Sequence, residues 1–337
     1  MTQTQDWLSR LLDLVPVHGR LDLRCFYGAP WRIDQGPAAH GEIPYHILLS
    51  GSAMLEDPAG KSPTRLSAGD ILVLPQGPLH MLHDGSGAPA VPAQARSKLN
   101  LTISENDGDG SRLDMLCGHF VLATPHDRLL RNYLPPRLVV HTAATDAVPD
   151  ENGIAESGAA AQLSGLVALM RHESAADHLG GRAMLNALST ALFALTLRLA
   201  SEASEAPMGL LALAGHPRLA PALDALFNQP GRAWTLPDLA RLCHMSRATL
   251  ARHFDEKLGR SASDLLTDIR MTVAAGELRK PSASTGAVAE AVGYQSEAAF
   301  QRAFKQHMGV TPAAWRRAAR SGTGDAADSE AADSELS

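Results

Sequence analysis

The feature that most constrains this chain is a repeat near its C-terminal end. The segment TLPDLARLCHMSRATLARHFDEKLG (235–259) returns fifty residues later as TGAVAEAVGYQSEAAFQRAFKQHMG (285–309). Ser246 matches Ser296, Leu250 matches Phe300, Arg252 matches Arg302, Phe254 matches Phe304 and Gly259 matches Gly309. Each match falls where a residue has a physical task. Leu250 and Phe254, like Phe300 and Phe304, are four apart and share the helix face that packs inward. Ser246 and Ser296 stand where N-caps stand, with a tight turn at His244–Met245 in the first copy. The pattern predicts two helix-turn-helix units, whose second helices enter the DNA major groove. Ser246, Arg247, Thr249 and Arg252 in the first unit, and Ser296, Gln301, Arg302 and Lys305 in the second, are the candidate DNA contacts. An arginine there can grip a phosphate or meet a guanine edge with two hydrogen bonds. Between the units, residues 263–280 predict one connecting helix, about 27 Å long.

Charge supports the same reading once it is divided along the chain. The net charge of −6, taken as an average, argues against nucleic acid. Residues 217–320, however, carry +6, while residues 1–216 carry −7 and residues 321–337 carry −5. A basic module is thus set between an acidic one and an acidic end. The segment 321–337 has Leu336 as its one large apolar side chain and is expected to be a disordered acidic tail.

The basic module resembles the C-terminal DNA-binding domain of the AraC/XylS transcription regulators. Val288-Ala289, Gly293-Tyr294-Gln295-Ser296, Phe300, Arg302, Phe304-Lys305, Gly309, Thr311-Pro312 and Arg316 carry the match. Trp315 stands where the family usually has Tyr. Ala298-Ala299 opens the second recognition helix, which shifts base reading onto Gln301 and Arg302. The resemblance implies double-stranded operator DNA and RNA polymerase as partners, and activation of a promoter.

The acidic module reads as short strands and turns. Gly69, Pro75, Gly77 and His80 have the spacing G-x5-P-x-G-x2-H, which resembles the second cupin motif. In metal-bearing cupins that His is a ligand inside the barrel. The first cupin motif, H-x-H with a Glu, is represented here by His46 alone. An iron- or manganese-dependent cupin enzyme with a helical accessory domain is therefore the lesser alternative, and no enzymatic activity is expected. Period-two alternation places Leu21, Leu23, Cys25 and Tyr27 on one face, opposite Asp22 and Arg24. It likewise sets Leu113, Met115, Cys117, His119 and Val121 opposite Arg112 and Asp114. Cys25 and Cys117 point inward, with His46 and His80 as further barrel-facing residues. Three readings stay open: separate buried thiols and core histidines, a Cys–Cys redox switch, or a Cys2His2 zinc site. Cys243 reads as core packing in the first helix-turn-helix.

The N-terminal half is also similar to the reactive-chlorine-sensing (RclR-like) subgroup of the same family. The matching stretches end at Cys25, at His46, at Pro75–His80 and at Cys117-Gly118, with an extra loop near residues 85–98. This similarity implies an oxidant or electrophile sensor acting through Cys25 and Cys117. A small ligand or a metal in the barrel is the alternative inducer.

The expected class is α+β: a cupin-like β-barrel over 1–140, a linker and dimerisation helices over 141–205, an all-α double helix-turn-helix domain over 216–320, and the tail. The linker is the Ala/Gly/Asp/Pro-rich stretch 141–161. Leu163, Leu166, Val167 and Met170 predict one middle helix. Leu185, Leu188, Leu192, Leu195 and Leu199 predict another with a heptad seam, which suits packing within the domain or a homodimer equally. The apolar stretch 183–200 is broken by Asn186, Ser189, Thr190, Thr196 and Arg198, so no membrane span and a cytoplasmic location are expected.

Overall fold

A computed structural model of the chain describes residues 5–56, 62–122, 128–142, 158–203 and 206–319. The acidic tail and residues 143–157 of the expected linker lie outside the described residues. Contacts divide the chain into two compact units, one of residues 16–215 and one joining residues 1–15 to 216–337. This differs from the sequence division in two ways. The middle helices belong to the same unit as the strands, and the first helix, α1 (Trp7–Leu14), belongs with the C-terminal helices.

The first unit opens with β1 (Val17–Gly28), β2 (Arg32–Gln35), β3 (Glu42–Ser50), β4 (Ser52–Leu55), β5 (Thr64–Ser67) and β6 (Asp70–Val73). It continues through β7 (His80–His83), β8 (Ala93–Ser97), β9 (Thr102–Asn106) and β10 (Arg112–Leu122). Helix α2 (Arg128–Tyr133), strand β11 (Leu138–His141) and helices α3 (Ala159–Glu173), α4 (Gly181–Glu202) and α5 (Leu210–Ala214) complete it. The strands form a seven-stranded sheet, ordered β11-β6-β3-β10-β1-β9-β8, and a four-stranded sheet, ordered β2-β7-β4-β5. Between the sheets lies a core that includes Cys25, Tyr27, Trp31, Leu48, Leu66, Leu82 and Met115. The extra loop near residues 85–98 contributes β8, an exposed strand at the edge of the large sheet.

The face of β1 and β10 opposite the cysteines is covered by the middle helices. Arg24 and Asp114, the polar positions of the alternation, are both buried. Their ion pair is two-pronged, at 2.9 and 2.8 Å, and the Arg24 guanidinium also donates to Ser174 Oγ and the Arg171 carbonyl at the end of α3. Tyr45 on β3 shares a 2.7 Å hydrogen bond with Ser189 of α4, and its ring stacks on Phe120. Gly118 must be a glycine, since a Cβ there would collide with the Arg20 carbonyl and the Tyr45 ring. A bulge between Leu21 and Leu23 ends the strict alternation of β1, and Asp22 reaches His119 at 2.6 Å instead of sharing the surroundings of Arg24.

Helix α4 is long and apolar enough to cross a membrane by length and composition. Leu185, Leu192, Phe193 and Leu197 are nevertheless buried within the unit. The heptad seam is therefore divided. Leu185 and Leu192 pack internally, while Leu188, Leu195 and Leu199 remain partly exposed.

The second unit contains α1 with α6 (Ala220–Asn228), α7 (Leu236–Leu242), α8 (Arg247–Leu258), α9 (Ala262–Glu277), α10 (Thr285–Ala291) and α11 (Glu297–Met308), followed by helix over 312–319. Helix α1 is capped by Asp6 and sets Trp7 against Phe227, with the Trp7 amide donating to Asp224. The connecting helix α9 begins one residue earlier and ends three residues earlier than the sequence predicts. Ser261 and Asp264 form a capping box that starts it, and Leu278 caps its end.

Replacing Asp114 by Ala leaves the buried Arg24 guanidinium without its counter-charge. We expect a loss of about 3–5 kcal/mol, read as a lower urea midpoint for the strand-rich unit.

Candidate redox site and nucleic-acid interface

Three adjacent strands and one strand of the facing sheet bring the four singled-out barrel residues together. Cys117 on β10 lies directly opposite His46 on β3. On the other side of β10, Cys117 pairs with Leu23 and Cys25 pairs with Met115, so the two cysteines are diagonal neighbours. His80 comes from β7 of the small sheet. Its Nε2 lies 2.8 Å from His46 Nε2, and His46 Nδ1 lies 3.2 Å from Cys117 Sγ. Cys117 is also the neighbour that most lowers the Cys25 thiol. The result is a chain, Cys25–Cys117–His46–His80, ending 3.0 Å from the Pro78 carbonyl.

The Pro78 carbonyl fixes the protons on the two histidines. It can only accept, so the neutral His80 ring carries its hydrogen on Nδ1 and leaves Nε2 as an acceptor. His46 must then donate from Nε2, which leaves a lone pair on its Nδ1, facing Cys117 Sγ. Burial drives the His46 imidazole down to about 3, with the neighbouring His80 adding to the effect. Burial also lowers His80, opposed by the Pro78 carbonyl. Both rings are therefore neutral at ordinary pH. The Cys25 thiol is lowered by the hydrogen bond from Cys117 and further by Tyr27, against the effect of burial. Cys117 is raised by that same hydrogen bond and by burial. Cys25 is thus the more readily ionised thiol of the pair. All three cysteines are free, and Cys243 is buried in the C-terminal unit.

This geometry bears on the zinc reading. His46 presents opposite ring nitrogens to Cys117 and His80, so one ion cannot take all four groups in this arrangement. Among the described residues, no group of three or more His, Cys, Asp or Glu side chains is placed to hold a metal ion. His119 and His83, two further histidines on the barrel strands, pair with Asp22 and Glu56.

The repeat folds as two helix-turn-helix units, and the structure shows a detail that a single offset hides. The second helices, α8 and α11, follow Ser246 and Ser296 at an offset of fifty. The first helices, α7 and α10, are capped by Thr235 and Ser284 and end at Leu242 and Ala291, an offset of forty-nine. The second turn is therefore one residue longer. His244 in the first turn has φ +49°, and its counterpart forty-nine residues on is Gly293, with φ +84°. The Ser246 and Ser296 hydroxyls accept from the amides of Thr249 and Ala299, so both serines act as caps here.

Leu250, Phe254, Phe300 and Phe304 are buried, and Arg247, Arg252, Gln301, Arg302 and Lys305 are exposed. Arg252 lies 3.7 Å from Glu256, and Gln301 donates to Glu297 at 2.8 Å. Two motif residues have packing roles: Trp315 donates to the Ala275 carbonyl of α9, and Arg316 to the Ala283 carbonyl. Asp268 of α9, missed by the sequence reading, lies 3.6 Å from Arg260 and 3.4 Å from His307. It anchors both units to the connecting helix.

A strand-rich cupin-like unit and paired helix-turn-helix units in one chain define a cupin-bearing DNA-binding regulator. Residues 6–202 match a cupin family, and residues 239–318 match a helix-turn-helix domain family. The chain is 30% identical to an uncharacterized HTH-type transcriptional regulator of Haemophilus influenzae, over 93% of this chain and 98% of that one. It is 28% identical to the RCS-specific HTH-type transcriptional activator RclR of Escherichia coli, over 94% and 98% of the two chains. It is also 28% identical to the HTH-type transcriptional regulator MtrA of Neisseria gonorrhoeae, over 93% and 98%. The chain belongs to the AraC-type transcription regulators that carry an N-terminal cupin domain, and is a regulator rather than an enzyme.

The neutral His46 predicts an acid-sensitive barrel. The unfolded chain protonates this imidazole near 6.5, the folded chain near 3. Folded stability therefore falls as the pH drops through that window, by about 1.4 kcal/mol per pH unit for this group. His46→Gln should flatten the slope, measured as urea midpoints between pH 7 and pH 4.

Proposed function

We propose that this chain is a sequence-specific activator whose cupin domain senses oxidant or electrophile through Cys25 and Cys117. The observation that carries the reading is the strand register that makes two free thiols diagonal neighbours inside the barrel, with Cys25 held below its usual range by Cys117. A relative named as an RCS-specific activator supports both the signal and the direction of control. Diagonal neighbours in an antiparallel pair have Cα atoms about 7–8 Å apart, wider than the separation a disulfide usually takes. Closing the bond would draw β1 and β10 together. The Arg24–Asp114 pair bridges the same strands to the end of α3, so the middle helices would receive that movement. Their outer surface, where Leu169 is 59% and Met184 is 53% exposed, would pair with a second copy of the chain.

In this reading α8 and α11 lie in the operator's major groove. Arg247, Arg252, Gln301, Arg302 and Lys305 reach bases and phosphates, Thr249 supports them, and the capped helix starts at Ser246 and Ser296 face the backbone. RNA polymerase is the further partner, and the cytoplasm is the place of action. One feature favours a small-ligand signal as a second reading. A cleft of about 530 Å³, bordered by Trp31, Met54, Arg65 and Arg112, opens on the barrel.

The test is a DNA-binding titration against the chain's own upstream region, reduced and after hypochlorous acid. Oxidation should change affinity or footprint in the wild type, and neither Cys25→Ser nor Cys117→Ser should respond. Binding that ignores oxidation would leave the regulator standing and move the signal to a ligand. Arg252→Ala and Arg302→Ala should each weaken binding about tenfold or more and relax preference at one base pair.

A further inference from the structure

The geometry points to His46 as the base that takes the Cys117 proton when the Cys25–Cys117 bond closes, with His80 as the next proton carrier. The inference rests on the thiol-sensor reading and adds the step that reading leaves open, namely where the second thiol's proton goes inside a buried sheet.

The proton directions fixed by the Pro78 carbonyl leave one lone pair on the chain facing a sulfur, that of His46 Nδ1 at 3.2 Å from Cys117 Sγ. The oxidant supplies the balance. The Cys25 thiolate attacks the chlorine of hypochlorous acid, forming an S–Cl bond and releasing hydroxide. The Cys117 sulfur then attacks Cys25 Sγ. The S–S bond forms, the S–Cl bond breaks, and chloride leaves with its electron pair, so that the sulfur pair is oxidised by two electrons and the chlorine reduced by two. The remaining thiol proton passes to His46 Nδ1.

An imidazolium at His46 is disfavoured by its burial, and the hydrogen-bond chain removes the need for one. As Nδ1 takes the thiol proton, Nε2 can pass its own to His80 Nε2, 2.8 Å away. His46 ends neutral, in the other tautomer, and the charge appears on His80. There the Nδ1–H already donates to the Pro78 carbonyl, beside the exposed Leu79. Cys25 is placed for attack and Cys117 for resolution, because Cys117 is the thiol that touches the base.

The experiment follows the full-length chain through rapid mixing with hypochlorous acid. Loss of free thiol, disulfide formation and a dimedone adduct on Cys25 are read by mass spectrometry. Dimedone captures the sulfenic acid that forms when an unresolved S–Cl meets water. In His46→Gln, Cys25 should be oxidised at the wild-type rate, closure should be slower by about 100-fold, and the adduct should accumulate as in Cys117→Ser. His80→Gln, which leaves the Cys117–His46 contact in place, should slow closure by about tenfold and serves if His46→Gln does not fold. Closure at the wild-type rate in the folded variants overturns the assignment while leaving the sensor reading intact. If the wild type forms no Cys25–Cys117 disulfide, the sensor reading falls and the base assignment falls with it.

Discussion

The antiparallel pairing of β1 with β10 sets the position of nearly every group that matters in the barrel. One face of the pair carries Cys25 and Cys117 into the space between the sheets. The opposite face carries Arg24 and Asp114 beneath the middle helices. Because side chains alternate along a strand, these two sets cannot be moved independently. A shift of one residue between the strands would separate the thiols and also carry one charge of the pair, without its partner, into the apolar core. The ion pair thereby holds the register on which the thiol contact depends. Its geometry suits burial, with two hydrogen bonds within the pair and two more to α3, since a buried charge is tolerable only when fully satisfied.

The polar chain inside the barrel follows the same logic. The buried histidines satisfy each other and the Pro78 carbonyl, which fixes the direction of both rings, while the single Cys117 proton lies between two acceptors, Cys25 and His46 Nδ1. Neutral histidines are the natural solution where burial opposes charge, and their neutrality leaves one nitrogen available as a base. The zinc alternative would need a different arrangement of these rings. A metal site needs lone pairs that converge, whereas here each nitrogen of His46 serves a different neighbour.

Much of the DNA-binding unit was legible in the sequence because its signals are local. Caps, four-residue apolar spacing and the fifty-residue repeat each report on a few neighbouring residues, and both second helices lie where those signals set them. What the repeat concealed was the extra residue of the second turn, since all five matches fall in the second helices. Trp315 and Arg316 could be recognised as motif residues, but their hydrogen bonds to the carbonyls of Ala275 and Ala283 are contacts across some forty and thirty-three residues. Asp268 gave no signal, because an acidic residue on a helix reads as solvent-facing until His307 and Arg260 are seen around it.

By itself, the sequence determined the class of both units, the two recognition helices and the inward direction of the cysteines, because periodicity and capping are properties of adjacent residues. It could not place Cys25 beside Cys117, or His46 and His80 in line with them. Those contacts depend on which strands become neighbours and in what register, and on a second sheet bringing His80 across the barrel. Nor could it assign α1 to the helical unit or show that half of the leucine seam of α4 is used internally. Which of several similar apolar faces becomes buried is decided by the packing of distant segments, so only the tertiary structure settled it.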